Sequence, residues 1–300
     1  MHRILGIGEL LWDMLPEGPQ LGGAPANYTV MAGRLSNHAT IISRIGDDDL
    51  GTQALAVLKP FPVDCSLLQV DPEQPTGKVT VIFDAGQPNY VIHKPVAWDF
   101  FELSADWIAA AQQADAVCFG SLGQRSEKSR MTIHALVRAT RPDCQRIFDV
   151  NLRAPYFTEA IVRQSLELAS VFKMNDAEVP QVLALLGLPE ASSLREWADL
   201  VLGAFPQLAL IAITCGGEGS LLVSRSEWHR HTGVPTKVAD TIGAGDAFTA
   251  AMTTYLLRGA PLATLSEAGN RWGSYIASQR GAMPEISDET LRRITQEIEG

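Results

Sequence analysis

The chain has 300 residues, of which 46% are hydrophobic and 19% are charged, and this composition predicts a globular protein with a substantial core. Its 24 lysine and arginine residues are outnumbered by 34 aspartate and glutamate residues, which gives a net charge of −10 at neutral pH. Because such a surface repels a phosphate backbone, the composition argues against a general nucleic-acid-binding protein.

The N-terminal segment is only briefly apolar, since Glu9 and Asp13 interrupt it. It therefore predicts neither a secretory signal nor a membrane span, and we expect a cytoplasmic protein with no membrane partner. The run GIGELLWD also lacks the third glycine of a dinucleotide-binding turn, because Leu11 stands at that place, which argues against a Rossmann dehydrogenase.

Apolar runs typical of buried strands alternate along the chain with amphipathic segments such as QSLELA and SLREWADLVLGAF. The runs are ILGIGELLW, ATIISRIG, DAVCFGSL, RIFDVNL, ASVFKMN and ALIAITCGG. This alternation predicts an α/β fold with a parallel sheet covered by helices on both faces. Because such sheets bind ligands beyond the carboxyl ends of their strands, the polar tails GSLGQ, DVNLR, MNDAE and TCGGEG are candidates for one shared crevice.

Residues 76–94 depart from this pattern. Val79, Val81 and Phe83 alternate with polar residues before a turn that contains glycine and proline, and Tyr90 and Ile92 follow it. This period of two predicts a β-hairpin. The hairpin is a lid over a site, a dimerisation flap or a surface decoration, and its pattern does not choose among these.

Four cysteines lie far apart in the sequence and form no C-x-x-C pair. They are Cys65, Cys118, Cys144 and Cys215. Neither a zinc site nor a disulfide framework is indicated, and we expect all four to be reduced packing residues.

The segment DTIGAGDAF combines an open helix start with a carboxylate. Gly243, Ala244 and Gly245 precede the apolar helix AFTAAMTTYLLRG and leave its first N–H groups unobstructed, which favours an anion. Asp246 is then either an acid that stabilises the helix N-terminus or a base beside a transferring phosphoryl group.

Two long segments resemble the signatures of the ribokinase-like (PfkB) carbohydrate kinase family. DTIGAGDAF is similar to the C-terminal signature, and LGGAPANYTVMAGRLS, at residues 21–36, is similar to the N-terminal one. FDVNLR, KMNDAEV and ITCGGEG resemble intermediate motifs in the same order. The resemblance implies that Asp246 is the catalytic base and that the amides of Gly243, Ala244 and Gly245 form the anion hole.

The resemblance also implies the architecture. We expect residues 1–300 to form a single ribokinase-like domain, a three-layer α/β/α sandwich with a central, mostly parallel sheet. A small β-sheet lid is expected from about residues 11–22 and 73–95.

The sugar side is predicted from short polar groups that both donate and accept hydrogen bonds. Asp13 follows a buried-looking strand, Gly22 and Gly23 allow backbone to approach a sugar, and Asn27 offers a donor and an acceptor. Without the resemblance, these residues are equally a strand-end acid, a turn and a helix N-cap. Glu9 is either a further contact or a paired structural carboxylate.

The resemblance implies that Asn175 and Glu178 lie beside ATP and Mg²⁺. Glu178 would orient water around the metal, and the side-chain amide of Asn175 would reach phosphate oxygens. The same residues also form an ordinary capping box at a helix start. In DVNLR, Arg153 is suited to neutralising phosphate charge, and Asp149 either orients Arg153 or supports the metal site.

The remaining nucleotide contacts are implied by the resemblance alone. Thr214, Gly216 and Gly219 correspond to a loop that carries nucleotide phosphates or ribose, although a glycine-rich turn without a ligand has the same sequence. Asn270 corresponds to an asparagine that faces adenine.

Family members often bind a monovalent cation. The counterparts here are Asp240, the carbonyl of Ile242 and the region of Gly281, and such oxygens suit K⁺.

The segments GGAPAN, DVNLR and PVAWD are most similar to the fructokinase branch. We therefore expect transfer of the γ-phosphate of ATP to a primary hydroxyl of D-fructose, in a chain that forms a homodimer through its lid. Ribose, a nucleoside and 2-keto-3-deoxygluconate remain alternatives, and Lys78, His93 or Lys94 would supply the cation that a sugar acid needs. A catalytically silent sugar-binding protein on the same scaffold is the alternative of another class.

Overall fold

A computed structural model of the chain describes residues 1–84 and 87–300. The strands, numbered in chain order, are β1 Arg3–Ile7, β2 Leu11–Leu15, β3 Gly18–Gly22, β4 His38–Ile42, β5 Arg44–Gly46, β6 Gln69–Asp71, β7 Gly77–Asp84, β8 Gln87–Ile92, β9 Ala116–Phe119, β10 Gln145–Asp149, β11 Val171–Asn175, β12 Leu210–Thr214, β13 Ser220–Ser224 and β14 Trp228–His231. The α-helices are α1 Ala24–Arg34, α2 Asp49–Leu58, α3 Ala105–Gln113, α4 Glu127–Ala139, α5 Glu159–Leu168, α6 Val179–Leu186, α7 Leu194–Ala204, α8 Ala244–Leu257, α9 Leu262–Ala277 and α10 Asp288–Glu299.

The central sheet has eight strands in the order β14-β13-β12-β11-β10-β9-β1-β4. Strands β4, β1, β9, β10, β11 and β12 are parallel to one another, whereas β13 pairs in antiparallel fashion with both β12 and β14. The parallel part confirms the prediction from the apolar runs. The antiparallel edge was not predicted; there the chain turns back through Gly219, whose φ of +88° suits glycine.

Helices cover both faces of the central sheet, so the three-layer α/β/α architecture is confirmed. Alternate residues of the strands face opposite layers. Phe119, Phe148 and Phe172 pack in a row against the layer of α3–α7, with ring centroids 5.4 Å and 5.6 Å apart. Cys118 and Ile147 face the layer of α1, α8, α9 and α10.

A separate small sheet has the strand order β3-β2-β7-β8. It contains the predicted hairpin strands, while the predicted turn between them, at residues 85–86, lies outside the described residues. The run ILGIGELLW, predicted as one strand, divides into β1 and β2 because Gly8, with a φ of +148°, bends the chain between them. ATIISRIG likewise divides into β4 and β5, and β5 pairs with β6 in a two-stranded sheet that was not predicted.

All four cysteines are free, as predicted, and three of them are buried. In the part of the chain that the structure describes, no helix is both long enough and apolar enough to cross a membrane.

A buried histidine links the loop after β9 to two helices. The ring of His134, in α4, hydrogen-bonds with Gln124 Oε1 at 2.9 Å, and Gln124 Nε2 donates to Ser165 Oγ in α5 at 2.8 Å. Burial, with the charges of Arg138 and Arg130, lowers the pKa of His134 to about 4. The folded protein therefore holds this ring neutral.

We expect His134 to make the protein less stable as the pH falls. Between pH 6.5, the ordinary pKa of histidine, and about 4, the unfolded chain binds a proton at His134 that the folded protein does not. Relative to His134→Gln, the wild-type free energy of unfolding should fall by up to about 1.4 kcal/mol per pH unit across this window. Urea unfolding at several pH values measures it. His38→Gln, at an exposed histidine, is the control. If the difference in unfolding free energy between the wild type and His134→Gln were as independent of pH as the difference for His38→Gln, the assignment would be contradicted.

Candidate active site

Asp246 lies in the first turn of α8, at the carboxyl end of the central sheet. Gly243 is the N-cap of α8, and no side chain caps the helix, so its first N–H groups stay open to a ligand. The Asp246 side chain instead turns towards α1, where its Oδ2 accepts a hydrogen bond of 2.7 Å from Asn27 Nδ2. Asp246 therefore does not serve as a cap, and the predicted base and the predicted sugar contact are direct neighbours.

The geometry of this turn requires a glycine at position 243 and leaves little room at position 245. Gly243 has a φ of +77°, and a Cβ atom there would lie 2.7 Å from the Cα of Ala282. A Cβ at Gly245 would lie 3.1 Å from the Nζ of Lys173. The Ala244 amide donates to the Thr241 carbonyl at 3.3 Å, so of the three predicted anion-hole amides this one is partly used within the turn.

The pKa of Asp246 is raised to about 6, chiefly because the carboxyl is removed from water and secondly because Asp149 is near. The hydrogen bond from Asn27 and the charges of Lys173 and Arg153 act in the opposite direction. At pH 7 the group is mostly ionised and still basic enough to take a proton, which are the properties that a general base needs.

The predicted sugar residues surround the same end of the sheet. A Cβ at Gly22 would lie 2.9 Å from Asp13 Oδ2, and one at Gly23, whose φ is +108°, would lie 2.3 Å from the Glu9 carbonyl oxygen. Asn27 Oδ1 and Glu9 Oε2 are buried without a hydrogen-bond partner among the described residues. Since such groups are costly to leave unpaired, they mark places for a ligand that donates hydrogen bonds.

Three carboxyl groups share one cation in this crevice. Burial raises the pKa values of Glu9, Asp13 and Asp246 to about 7, 6 and 6 respectively. The charge of Arg153, an exposed residue, acts in the opposite direction on all three but does not cancel the effect of burial. Glu9 makes no ion pair within residues 1–84 and 87–300. The interpretation of Glu9 as a paired structural carboxylate is therefore wrong.

On the nucleotide side, Asn175 and Glu178 form the predicted capping box. Asn175 Oδ1 accepts the Glu178 N–H at 3.0 Å, and Glu178 Oε2 accepts the Asn175 N–H at 2.8 Å. Glu178 Oε1 also accepts the Leu152 N–H at 2.7 Å and so fixes the DVNLR loop. Each carboxylate oxygen keeps a further lone pair, so a contact with metal-bound water remains available.

Asp149 does not orient Arg153. Its Oδ1 lies 3.1 Å from Lys173 Nζ, and its Oδ2 accepts a hydrogen bond of 2.9 Å from Thr249 Oγ1. Lys173 was not singled out in the sequence, although a lysine inside the apolar run ASVFKMN was the available signal. Asn151, in the same loop as Arg153, has a φ of +39°, a conformation that asparagine tolerates better than most residues.

The residues assigned to the rest of the nucleotide fall into two groups, because some are open to a ligand and others are engaged within the protein. Thr214 ends β12, and Gly216 follows it in an open turn, where a Cβ would meet nothing within 4 Å. At Gly219 a Cβ would lie 2.1 Å from the His231 carbonyl oxygen, so this glycine is required by packing. Asn270 is only 6% exposed and donates to Ser220 Oγ and to the Ser266 carbonyl, both at 2.7 Å, which argues against a direct contact with adenine.

The predicted residues of the monovalent-cation site come together. Asp240 Oδ1 accepts the Ile242 N–H at 3.0 Å, and Asp240 Oδ2 accepts the Gly281 N–H at 3.1 Å. Asp240 thus ties the turn before α8 to the loop after α9.

The cations suggested for a sugar acid do not face Asp13. Asp13 pairs with Val79 across β2 and β7, so the neighbouring Lys78 points to the opposite face of the small sheet. His93 lies on that opposite face too, because its ring hydrogen-bonds with Thr80 at 2.8 Å. Lys94 lies over the ring of Tyr156.

We expect Gly243→Ala to destabilise the protein, because alanine meets both the positive φ and the Ala282 backbone. The loss should be about 1–3 kcal/mol in the free energy of unfolding, measured by denaturant titration. Gly203→Ala, in α7, is the matched control, since a Cβ there meets nothing within 4 Å; it should be neutral or stabilise by up to about 1 kcal/mol. Equal stabilities for the two variants would show that the turn is not constrained.

The chain is similar to known sugar kinases over nearly its whole length. A fructokinase of Vibrio alginolyticus is 30% identical, with 99% of this chain and 100% of that protein covered. A fructokinase of Escherichia coli is 27% identical over 95% of this chain and 96% of that one. The crystal structure of an uncharacterized sugar kinase from Pyrococcus horikoshii in complex with ATP superposes with a TM-score of 0.82, at 27% identity and with 98% and 99% of the two chains covered. Residues 19–289 match the family described as pfkB family carbohydrate kinase, and the chain belongs to that family.

Proposed function

We propose that the protein is an ATP-dependent sugar kinase that transfers the γ-phosphate of ATP to a primary hydroxyl of D-fructose. The observation that carries the proposal is the 2.7 Å hydrogen bond between Asn27 and Asp246 at the uncapped N-terminus of α8. This bond supports the proposal because it joins the residue assigned as the base to a residue assigned to the sugar, at a helix start that no side chain caps.

In the proposed reaction, Asp246 accepts the proton of the sugar hydroxyl. The hydroxyl oxygen then bonds to the γ-phosphorus of ATP, and the bond from that phosphorus to the β–γ bridging oxygen breaks, which releases ADP. Asn27 holds Asp246 in place, and its free Oδ1 accepts a hydrogen bond from the sugar. The amides of Gly243 and Gly245, with the helix dipole of α8, stabilise the charge on the transferring group. The carboxyl groups of Asp13 and Glu9 accept hydrogen bonds from further hydroxyl groups of the sugar.

The nucleotide is held beyond the ends of β11 and β12, by Asn175, Thr214 and Gly216, with Arg153 on the phosphates. The sugar kinase from Pyrococcus horikoshii, which is 27% identical to this chain, has been solved in complex with ATP, and this supports the nucleotide side of the proposal. Magnesium, when bound with ATP, neutralises the charge of the phosphate oxygens. The described residues contain no group of three or more metal-ligating side chains, and Glu178 has spare lone pairs, which suits an ion held mainly by phosphates and water.

Fructose is favoured over other acceptors by two observations. The relatives of 30% and 27% identity are described as fructokinases. The crevice around Asp13, Glu9 and Asp246 is acidic, and Lys78 and His93 point away from it, so the carboxylate of a sugar acid would be repelled. Ribose and nucleosides are the remaining neutral candidates.

Further parts of the proposal concern the surroundings of the site. We propose that the small sheet acts as a lid, that two copies of the chain associate through it in a homodimer, and that K⁺ binds between Asp240, the Ile242 carbonyl and Gly281 to stabilise the turn before α8. An enzyme acting on free sugars and ATP belongs in the cytoplasm.

Formation of ADP with a panel of fructose, ribose, nucleosides and 2-keto-3-deoxygluconate tests the proposal, and we expect the highest kcat/KM for fructose. Asp246→Asn should lower kcat at least 10²-fold, while calorimetric sugar binding is nearly unchanged. Asp288→Asn, in the first turn of α10 and exposed to solvent, is the control and should keep full activity. If fructose bound without any ADP release by the wild type, the protein would be a sugar-binding protein and the proposal would fail.

The pH dependence follows from the pKa of Asp246, which is raised to about 6. Because the base must be ionised, kcat/KM for the sugar should be constant near pH 7–8 and fall about tenfold per pH unit well below pH 6. Protonation of Asp13, whose pKa is also raised to about 6, steepens the fall. Initial rates at saturating ATP measure the profile, and an acid limb near pH 4 would reject Asp246 as the base.

A further inference from the structure

The ion pair behind the candidate base is unusual in its burial. Lys173 on β11 and Asp149 on β10 are neighbours in the sheet register, with 3.1 Å between Nζ and Oδ1. Lys173 is 6% exposed and Asp149 5% exposed. Removing two charges from water is costly, and an apolar pair would stabilise the sheet at least as well, so stability alone does not explain this pair.

The pair is connected to the start of α8 by hydrogen bonds. Thr249 Oγ1, which is fully buried, lies 2.9 Å from Asp149 Oδ2 and 2.9 Å from the Gly245 carbonyl oxygen. Lys173 Nζ itself faces Gly245, where a Cβ would lie 3.1 Å from it. The ammonium group therefore lies against the turn that carries Asp246 and the open amides.

We propose that Lys173 is a positioning residue for phosphoryl transfer, which balances the charge of Asp149 behind Asp246 and, through Asp149 and Thr249, fixes the first turn of α8. This inference rests on the proposed kinase function, in which Asp246 is the base. Lys173 acts through these neighbours and needs no contact with the substrate.

The charged groups around Asp246 and Lys173 support a charge balance between Lys173 and the nearby carboxylates. Asp149 from β10 raises the pKa of Asp246, while Asn27 from α1, Lys173 from β11 and Arg153 from the DVNLR loop lower it. The charge of Asp246 in turn raises the pKa values of Glu9, after β1, and of Cys118, on β9. Lys173 is acted on by Asp149, Glu178 and Asp246. Although burial lowers the pKa of Lys173, these three carboxylates together raise it above its ordinary value, so the ammonium form persists.

Single and double substitutions separate charge balance from simple packing. Lys173→Met leaves Asp149 uncompensated and should move the acid limb of kcat/KM up by at least one pH unit, with a lower kcat. Asp149→Asn leaves Lys173 uncompensated and should move the limb down. The double variant removes both charges and should return the limb to within half a unit of the wild type, while kcat stays reduced because the contact with Thr249 is altered.

Arg44→Met is the matched control, since Arg44 and Asp71 form another buried pair, at 2.9 Å, on the two-stranded sheet. It should lower stability and leave the acid limb unchanged. If Lys173→Met and Asp149→Asn also lowered stability but left the limb within 0.3 units of the wild type, about the error of such profiles, the inference would be overturned.

A measurement without turnover keeps this inference distinct from the proposed function. The carboxyl carbon of Asp246, assigned by comparison with Asp246→Asn, can be titrated by NMR in ligand-free protein labelled with ¹³C-aspartate. The titration midpoint should rise in Lys173→Met, or in Lys173→Gln if the methionine variant does not fold, and fall in Asp149→Asn. Opposite shifts without kinase activity would sustain the charge balance and reject the function; equal midpoints in an active enzyme would reject only the role of Lys173.

Discussion

The hydrogen bond between Asn27 and Asp246 joins two helix starts that are built in the same way. α1 and α8 each begin after a glycine with positive φ, and neither has a side-chain cap. Both helices pack on the same face of the central sheet. A side chain at either N-cap would collide with backbone, at the Glu9 carbonyl or at Ala282, so small residues at these points let the two starts approach. The resulting contact joins Asn27, proposed to bind the sugar, to Asp246, proposed as the base.

The electrostatics of the crevice follow from this approach. Several carboxyl groups converge where two helix N-termini offer partial positive charge, and Arg153 and Lys173 supply the full positive charges. The balance is incomplete, because burial still raises the pKa values of Glu9, Asp13 and Asp246 above those of free side chains. A crevice of this kind favours a neutral ligand with many hydroxyl donors, and disfavours an anion on the sugar side. Unpaired hydrogen-bond acceptors such as Asn27 Oδ1 suit the hydroxyl groups of the polyol in the proposed function.

The sequence predicted what depends on local pattern and missed what depends on distant partners. The parallel strands, the uncapped start of α8 and the Asn175–Glu178 box follow from short-range residue order. The division of ILGIGELLW depends on a bend at Gly8, and the edge strands β13 and β14 carry little apolar periodicity. Lys173 and Asn270 illustrate the limit best. Whether a lysine in an apolar run pairs with Asp149, or an asparagine in a helix bonds to Ser220, depends on which strand lies next to it, and a single sequence does not state that.

The placement of Asp13 has a mechanical consequence. Asp13 is on the small sheet, whereas Asn27 and Asp246 are on helices of the central one, so the candidate sugar residues belong to two separate bodies of structure. The end of β8 is held by Arg125, which donates to the His93 carbonyl at 2.6 Å while pairing with Asp99 at 2.7 Å and lying over the Trp98 ring. A second contact, the hydrogen bond of 3.0 Å from Trp12 Nε1 to the Leu50 carbonyl, holds β2 beside Asp13. The small sheet is thus attached at both β2 and the end of β8, and the burial that raises the pKa of Asp13 depends on these attachments. In the proposed function, sugar binding uses groups of both sheets, and it therefore depends on the contacts that hold the small sheet in place.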